Sequence, residues 1–555
     1  MRGERLVLLA LVVLPMFAAC NFLRGYATGR SEALSILEQQ AVPDLAQFRF
    51  LYDDLNALNT DTLETNALPW KIVVAALLLD QGITADPVKD RGAINRILQQ
   101  YGFLIPQSVG NWNPANPNPT FEKPMGLVTG FVERSVPAIR LEVANIGCAT
   151  CHAGVVYDAN GLPTREVWLG LPNTSINIEA YTQAVYQALK KAVRRIDDLM
   201  TVLDRVYPTI DAIERRTITR HVLPRMRERL AQIEKTIDRP TPFNNGGPGL
   251  TNGVAALKLQ LGTIPTDRLA DEHGFTSIPD LGSVLLRSSL LYDGVYAPPG
   301  GNRFEPRTSR ASTSAHIGAM AHITTFFTVP TMGVKPSVAE TSARRVEEIF
   351  RFVGGYRPPA FPGRIDAVLA GYGRSLYQRH CTECHGTYSE GLTDVALVGF
   401  PNRLSAGVDI GTDPTRYEAI DAALITAIED SKFSKTIVAR RTEGYVAPRL
   451  TGLWATAPYL HNGSVPTLWH LMNPSKRPEQ FFVGGHRLDF DKVGIDSSMD
   501  ATGVLRYPAG YRPWSTPVRY DTRAPGCANR GHEKEFEPVA DPESQRALLE
   551  YLKLL

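Results

Sequence analysis

Apolar residues recur at intervals of three and four over several stretches of the chain, the spacing that places them on one face of an α-helix. Such spacing occurs between residues 178 and 238, and further helix-like stretches lie at residues 31–40, 72–79 and 337–352. Between residues 178 and 238 the apolar positions alternate with basic and acidic residues, which is typical of a solvent-facing helical hairpin. Another apolar helical face covers residues 365–376, and one more follows a helix-start signal, Asp-Pro-Glu, at residues 541–543. The pattern predicts a mainly α protein.

Glycine and proline interrupt this pattern in two places. Residues 240–301 are rich in loop signals and are expected to wrap a site, and residues 354–363 are interpreted as an interdomain linker. A chain of 555 residues is also too long for one ordinary core. We therefore predict an N-terminal domain over residues 21–360, with a helical insertion at about 178–238, and a C-terminal domain over residues 361–555.

The first residues of the chain have the layout of a secretory signal. Arg2 and Arg5 precede an apolar run over residues 6–17, which ends in small residues and Cys20. The Phe-Ala-Ala-Cys ending resembles a bacterial lipobox, in which Cys20 would be acylated. The run is shorter than the ~18 residues that span a bilayer. Residues 1–20 thus predict export to the periplasm or outer membrane, with membrane contact only through an N-terminal lipid or anchor, or secretion.

Composition narrows the class of protein. Hydrophobic residues make up 43% and charged residues 21%, as in a soluble globular protein. Lys+Arg number 59 and Asp+Glu 57, and no basic stripe with interleaved aromatic residues occurs, which excludes nucleic acid as the expected partner. Six cysteines are too few for a disulfide framework; four lie in two short motifs, and Cys527 is assigned no chemistry.

These two Cys-x-x-Cys-His motifs are the most specific chemical signal in the chain. In such a motif both thiols add to the vinyl groups of a haem, and the histidine ligates the iron from the same turn. The residues are Cys148, Cys151 and His152, and Cys381, Cys384 and His385. A four-cysteine zinc site and a redox dithiol are the alternatives, although neither needs a histidine after each pair. We expect two covalently bound haem c groups in two cytochrome c-like domains with long irregular loops.

Other segments resemble a known superfamily. Residues 457–468, Ala-Pro-Tyr-Leu-His-Asn-Gly-Ser-Val-Pro-Thr-Leu, resemble the segment shared by di-haem cytochrome c peroxidases and MauG-type enzymes. The surroundings of the first motif, residues 145–154, and the ending, residues 520–533, look more like the RoxA-like branch of di-haem rubber oxygenases and fatty-acid dioxygenases. The resemblance runs in order over most of residues 120–555.

The resemblance implies different ligands and different roles for the two haems. In the RoxA-like branch the N-terminal haem has one protein ligand, which corresponds to His152, and its open face binds dioxygen. The C-terminal haem has two histidine ligands, which correspond to His385 and His532, and serves as an electron partner. Peroxidases often use a methionine instead of the second histidine, and Met472 is the nearest candidate for that alternative.

Further residues are candidates for roles around the first haem. His316, Met320 and His322 lie in an apolar stretch and are interpreted as core or channel-lining residues, with the alternative that one caps the iron. Phe326 and Phe327 are candidates for an apolar distal wall, as oxidation of a hydrocarbon requires.

Two tryptophans and a histidine are candidates for roles near the haems. Trp454 and Trp469 are interpreted as core aromatics, with a place between the haems as the alternative, and His461 as a residue that orients a loop or haem edge. The rubber oxygenases place a tryptophan near their open haem, whereas this chain has none between Trp168 and Trp454. That departure disfavours rubber as the substrate.

These observations predict an exported haem-dependent oxidoreductase. The expected reaction is dioxygenation of an apolar unsaturated substrate, a lipid or a polyisoprenoid, by O2 at the N-terminal haem. One alternative is a peroxidase that uses H2O2. The other is a non-catalytic electron carrier, with both irons capped and an exported redox partner. The sixth ligand of the N-terminal haem separates the enzyme from the carrier.

Overall fold

A computed structural model describes residues 28–31, 33, 37, 42–53, 67–83, 92–265, 267–308, 313–331 and 340–555. The predicted signal at residues 1–20 lies outside these ranges. Helix makes up 41% and strand 15%, so the fold is mixed and the prediction of a mainly α protein was wrong in this respect. Many strands have only two or three residues and pair loop segments, so they leave no alternating pattern in the sequence.

Nineteen α-helices occur among the described residues, with one π-helical turn at Ile218–Val222. In chain order, α1 to α19 are Leu45–Tyr52, Trp70–Asp80, Ala93–Gln100, Cys148–Cys151, Ile178–Ala192, Ile196–Val206, Ala212–Thr217, Leu223–Thr236, Gly253–Leu261, Ser314–Thr331, Ala343–Gly354, Ala367–His380, Thr382–His385, Gly407–Ile410, Thr415–Glu418, Ala422–Glu429, Leu468–Met472, Glu533–Phe536 and Pro542–Leu552.

The strands form small sheets, the largest of which have four strands, in the orders β1-β4-β5-β2 and β19-β20-β16-β21. In chain order, β1 to β21 are Thr28–Ser31, Leu68–Pro69, Ser108–Val109, Leu127–Arg134, Ile139–Ile146, Ala153–Tyr157, Pro163–Leu169, Leu250–Thr251, Thr276–Ser277, Tyr296–Ala297, Thr387–Tyr388, Leu397–Gly399, Leu404–Ala406, Val438–Ala439, Gly444–Val446, Gln480–Val483, Leu488–Asp489, Gly494–Ile495, Ser498–Met499, Val504–Arg506 and Val518–Asp521.

The N-terminal core lies between the β4–β5 hairpin and helices α2 and α5 to α8. Its members include Ile72, Val132, Leu141, Tyr186, Leu203 and Leu230. The predicted solvent-facing hairpin at residues 178–238 is therefore corrected. The segment folds into four helices. The apolar faces of α5 and α6 pack against the largely apolar helix α2, and apolar residues of α8 join the same core, because only the charged positions of the pattern belong on an exposed face.

A central core surrounds the first Cys-x-x-Cys-His motif. It includes Phe50, Ala149, Leu169, Met320, Phe326 and Phe350. Here helix α10 packs against α9 and α11, and α11 packs against α1. The first motif forms the single turn α4 between strands β5 and β6, with no long helix leading into it. The expectation of two cytochrome c-like units is corrected accordingly, since the cytochrome c-like arrangement is confined to the C-terminal part.

In the C-terminal core, helix α12 runs directly into the second motif, and the terminal helix α19 packs along it. This core includes Leu376, Trp454, Leu468, Phe481, Leu548 and Tyr551. The two helices approach most closely at Gly373, where any Cβ would overlap the backbone carbonyl of Ala547. Glycine therefore sets the spacing between the helices.

The glycine- and proline-rich stretch at residues 354–363 accepts hydrogen bonds from two tryptophans. The indole Nε1 of Trp168 donates to the Arg357 carbonyl at 2.7 Å, and that of Trp454 donates to the Pro359 carbonyl at 3.3 Å. The stretch is thus pinned by groups from both sides of the predicted domain boundary. No helix within the described ranges is both long and apolar enough to cross a membrane.

Candidate haem sites

The turn that bears the first motif is held by hydrogen bonds from Asn173. The backbone N–H of Asn173 donates to the Cys151 carbonyl at 2.7 Å, and its buried side chain donates to the Thr150 carbonyl at 3.1 Å. Gly126 approaches the same turn so closely that a Cβ would overlap the backbone of Thr150. The positions of both thiols therefore depend on packing as well as on their spacing in sequence.

His152, the histidine of the first motif, is oriented by a backbone carbonyl. Its ring Nδ1 lies 3.2 Å from the Pro279 carbonyl oxygen. A carbonyl only accepts, so Nδ1 carries the proton and Nε2 keeps the lone pair that binds a metal. Burial lowers the pKa of His152 to about 4, which keeps the imidazole neutral. Pro279 belongs to residues 240–301, which the sequence predicted to wrap a site.

The second motif repeats this arrangement. The Nδ1 of His385 donates to the Pro448 carbonyl at 2.7 Å, and burial lowers the pKa of His385. The histidines of both motifs are half-buried. Each motif thus presents an unprotonated Nε2 on an imidazole that a proline carbonyl holds in place, which suits an axial ligand of haem.

A second imidazole lies beside His385. The ring centroids of His385 and His532 are 6.4 Å apart, and the ring planes differ by 25°. Metal–imidazole bonds of about 2.0 Å put the centroids of two opposed ligands roughly 6 Å apart, so the spacing fits an iron between the rings. Burial, with His385 and Arg477 nearby, lowers the pKa of His532 to about 3. The structure therefore brings together the two histidines that the resemblance implied as ligands.

Arg477 organises the loop that carries His532, and sequence reasoning missed it. Its guanidinium donates to the carbonyls of Asn529 and Gly531 at 2.7 and 2.8 Å and pairs with Glu533 at 2.8 Å. Only 3% of its side chain is exposed. No motif marks this arginine, because the partners that position the His532 loop are backbone carbonyls more than fifty residues away.

The thiols do not match the alternative chemistries. Burial raises the pKa of Cys148, Cys151 and Cys381 to about 12, whereas a reactive dithiol needs a lowered pKa. Within the described part of the chain, no group of three or more His, Cys, Asp or Glu residues could hold a metal ion. The two cysteine pairs are therefore not brought together into one four-cysteine group.

The candidates for capping the first haem are engaged in the central core. His316 Nε2 lies 2.9 Å from the Leu285 carbonyl, and His322 Nδ1 lies 2.9 Å from the Gly318 carbonyl of its own helix. Met320 is fully buried. These contacts agree with the interpretation of all three as core residues.

The remaining aromatic candidates also serve packing. Phe326 is fully buried against Phe433, at 4.7 Å between ring centroids. Trp454 lies in the C-terminal core with Phe361. Trp469 makes an edge contact with His470.

Met472 and His461 have different surroundings. Met472 is buried in the C-terminal core. The ring of His461 stacks on Tyr445 at 4.0 Å, and its carbonyl accepts from the Ser277 N–H at 2.7 Å. His461 thus joins the strand before Pro279 to the segment before Pro448.

A helix that runs into a Cys-x-x-Cys-His turn, with a terminal helix packed along it, is the arrangement of a c-type cytochrome. Comparison with known families agrees: residues 444–482 match the RoxA-like, cytochrome c-like family. The matched segment includes Pro448 and Arg477, which support His385 and His532. The match implies covalently bound haem c and indicates a haem-dependent oxidoreductase.

Two curated proteins of Sinorhizobium fredii (strain NBRC 101917 / NGR234) are similar to this chain, and both are described as uncharacterized. Protein y4iM is 31% identical over 246 residues, which cover 37% of this chain and 52% of that protein. Protein y4iJ is 29% identical over 268 residues, which cover 36% of this chain and 42% of that protein. The chain thus spans about half the length of the curated relatives it matches.

Proposed function

We propose that this protein is an exported di-haem c-type cytochrome that acts as an oxygenase. Cys148, Cys151 and His152 would hold the haem that supplies the chemistry with O2. Cys381, Cys384, His385 and His532 would hold the haem that serves as its electron partner. The observation that carries the proposal is the difference between the two motif histidines. His385 has a second imidazole at the distance of an opposed ligand, whereas within the described residues no aromatic or imidazole ring contacts His152.

This difference separates an enzyme from an electron carrier. A haem held by both His385 and His532 would have no position left for a substrate, whereas a haem held by His152 alone would keep a position for O2. When bound, the haem supplies the oxidising chemistry, and the chain supplies ligation, access and polarity. His152 does this through its tautomer, which the Pro279 carbonyl fixes.

Residues around the first motif support an apolar substrate. Cys148 and Ala149 pack against the apolar central core, which also contains Met125 and Leu169. A peroxidase would need an acid–base group beside its open haem. The apolar surroundings of the first motif favour an oxygenase acting on an unsaturated lipid or polyisoprenoid over a peroxidase.

The proposed location rests on the first 20 residues, and the proposed partner rests on the electron-transfer role of the second haem. The signal-like start, with the lipobox-like cysteine Cys20, supports export to the periplasm or the outer membrane, with secretion as the alternative. An exported redox protein would supply electrons to the haem at His385.

Quantitative EPR of the purified, air-oxidised protein tests the proposal. We expect one low-spin ferric haem per chain, together with either one high-spin ferric haem or one haem silenced by bound oxygen. O2 uptake with unsaturated lipid should then exceed turnover with H2O2. Two full low-spin signals would instead support the electron carrier.

Paired cysteine substitutions assign the signals to the motifs. The variant C148S/C151S should retain one haem per chain and only the low-spin signal. The variant C381S/C384S should retain one haem and lose the low-spin signal. The opposite assignment would show that the haem at His385 is the open one.

A further inference from the structure

Each motif histidine is held by the carbonyl of a proline, and the residues that follow these two prolines form an ion pair. Asp280 follows Pro279, which accepts from His152, and Arg449 follows Pro448, which accepts from His385. The Arg449 guanidinium lies 3.2 Å from the Asp280 carboxylate. Both side chains are mostly buried, with 10% and 16% exposed.

The pair is fixed by its surroundings. The hydroxyl of Tyr356 donates to the Asp280 carboxylate at 2.6 Å, and the N–H of Gly282 donates to its other oxygen at 2.7 Å. The guanidinium of Arg449 lies over the Tyr356 ring, 5.8 Å from its centroid. A Cβ on Gly282 would overlap that guanidinium, so a side chain at this position would displace Arg449.

A continuous connection therefore runs between the two motif histidines. It consists of the 3.2 Å hydrogen bond at His152, the peptide unit after Pro279, the ion pair, the peptide unit before Arg449 and the 2.7 Å hydrogen bond at His385. Apart from three polar contacts, the connection is covalent.

We propose that Asp280 and Arg449 are positioning residues that couple the two haem sites, so that the redox equilibrium of each haem depends on this one ion pair. The inference rests on the proposed presence of a haem at both motifs. The hydrogen bond to Nδ1 sets the orientation and basicity of an imidazole ligand. Loss of either charge leaves its partner unpaired in a mostly buried site. The peptide units that carry the Pro279 and Pro448 carbonyls are then no longer held by the ion pair, so the hydrogen bonds to both motif histidines change.

The test compares R449Q and D280N with the wild-type holoprotein. Spectroelectrochemical titration gives the midpoint potential of each haem, and EPR gives its ligand field. Each single substitution should change the redox equilibrium of both haems, by roughly tenfold, or ~59 mV for one electron. A change confined to the haem next to the substituted residue would overturn the proposal.

Controls separate coupling from general destabilisation. Arg487 pairs with Asp496 at 2.8 Å, and R487Q removes an ion pair of similar type that should leave both potentials unchanged. The variant R449K keeps the charge and should restore most of the wild-type values; failure to do so would argue against an ionic connection. If R449Q loses haem or folds poorly, D280N, which keeps the size of the side chain, decides.

The outcome is independent of the spin-state test. Two low-spin haems in the wild-type protein would overturn the proposed oxygenase but leave the coupling measurable. Normal spin states with unlinked potentials in D280N and R449Q would overturn the coupling alone. A single haem per chain would overturn both.

Discussion

The imidazoles of His385 and His532 lie 6.4 Å apart between centroids, with ring planes 25° apart, although 146 residues separate them in the chain. His385 is held by the Pro448 carbonyl and His532 by a loop that Arg477 organises. The arrangement has the spacing of two axial ligands on one iron. Several measurable consequences follow from it and from the packing around it.

Replacing His532 should open the second haem. In H532A we expect the low-spin signal of that haem to give way to a high-spin signal, because one of its two imidazole ligands is lost. Optical and EPR spectra of the ferric protein measure the change. H380A is a matched control, since His380 is exposed and directly precedes Cys381.

Met472 is the alternative to His532 as a ligand of the second haem, and substitutions distinguish the two. If Met472 were the ligand, M472L would produce the high-spin signal and H532A would leave the spectrum unchanged. Because Met472 is buried in the C-terminal core, we expect M472L to keep the low-spin spectrum.

Removing the Arg477 guanidinium should loosen the loop that carries His532. In R477M the carbonyls of Asn529 and Gly531 lose a charged donor, and we expect the free energy of unfolding to fall by about 2 kcal/mol. Part of the second haem should also become high-spin, as EPR would show. In R523M, where the arginine is 59% exposed, neither quantity should change measurably. A stability loss with an unchanged spectrum would mean that Arg477 does not position His532.

Two glycines of helix α12 should respond in opposite ways to alanine. G373A forces a methyl group into the Ala547 carbonyl and should lower the free energy of unfolding by about 2 kcal/mol. Gly371 has open space around it, so G371A should raise that free energy by about 0.5 kcal/mol through helix propensity. Denaturant unfolding of the holoprotein measures both. Equal effects would show that the two helices do not approach closely at Gly373.

Acid should destabilise the protein partly through His486. Burial lowers its pKa in the folded state to about 4, whereas the unfolded chain titrates near 6.5. The unfolded state therefore binds the extra proton as the pH falls from 6.5 towards 4, so stability is complete above 6.5 and is lost below it, at about 1.4 kcal/mol per pH unit for this group.

The variant H486F isolates this contribution. Phenylalanine keeps an aromatic ring beside Tyr157, which lies 6.5 Å from His486, and removes the titrating group. Between pH 4 and 6.5, the slope of its unfolding free energy against pH should be smaller than that of the wild-type protein by about 1.4 kcal/mol per pH unit, the contribution of one proton. An unchanged slope in H486F would mean that His486 is protonated when folded.

The sequence by itself determined the chemistry that depends on neighbouring residues. A Cys-x-x-Cys-His motif places two thiols and an imidazole on one turn, so attachment sites are readable at Cys148 and Cys381 without knowledge of the fold. Helices α12 and α19 were also predictable, because their apolar spacing and the Asp541 start signal are local.

Only the tertiary structure decided which distant groups meet. The carbonyls of Pro279 and Pro448 hold the motif histidines, yet a backbone carbonyl has no signature in a sequence. The Asp280–Arg449 pair and the Arg477 loop join residues far apart in the chain, and such pairs depend on packing. The apolar spacing of residues 178–238 likewise gave helices but not the surface they cover, because periodicity specifies a face and not its partner.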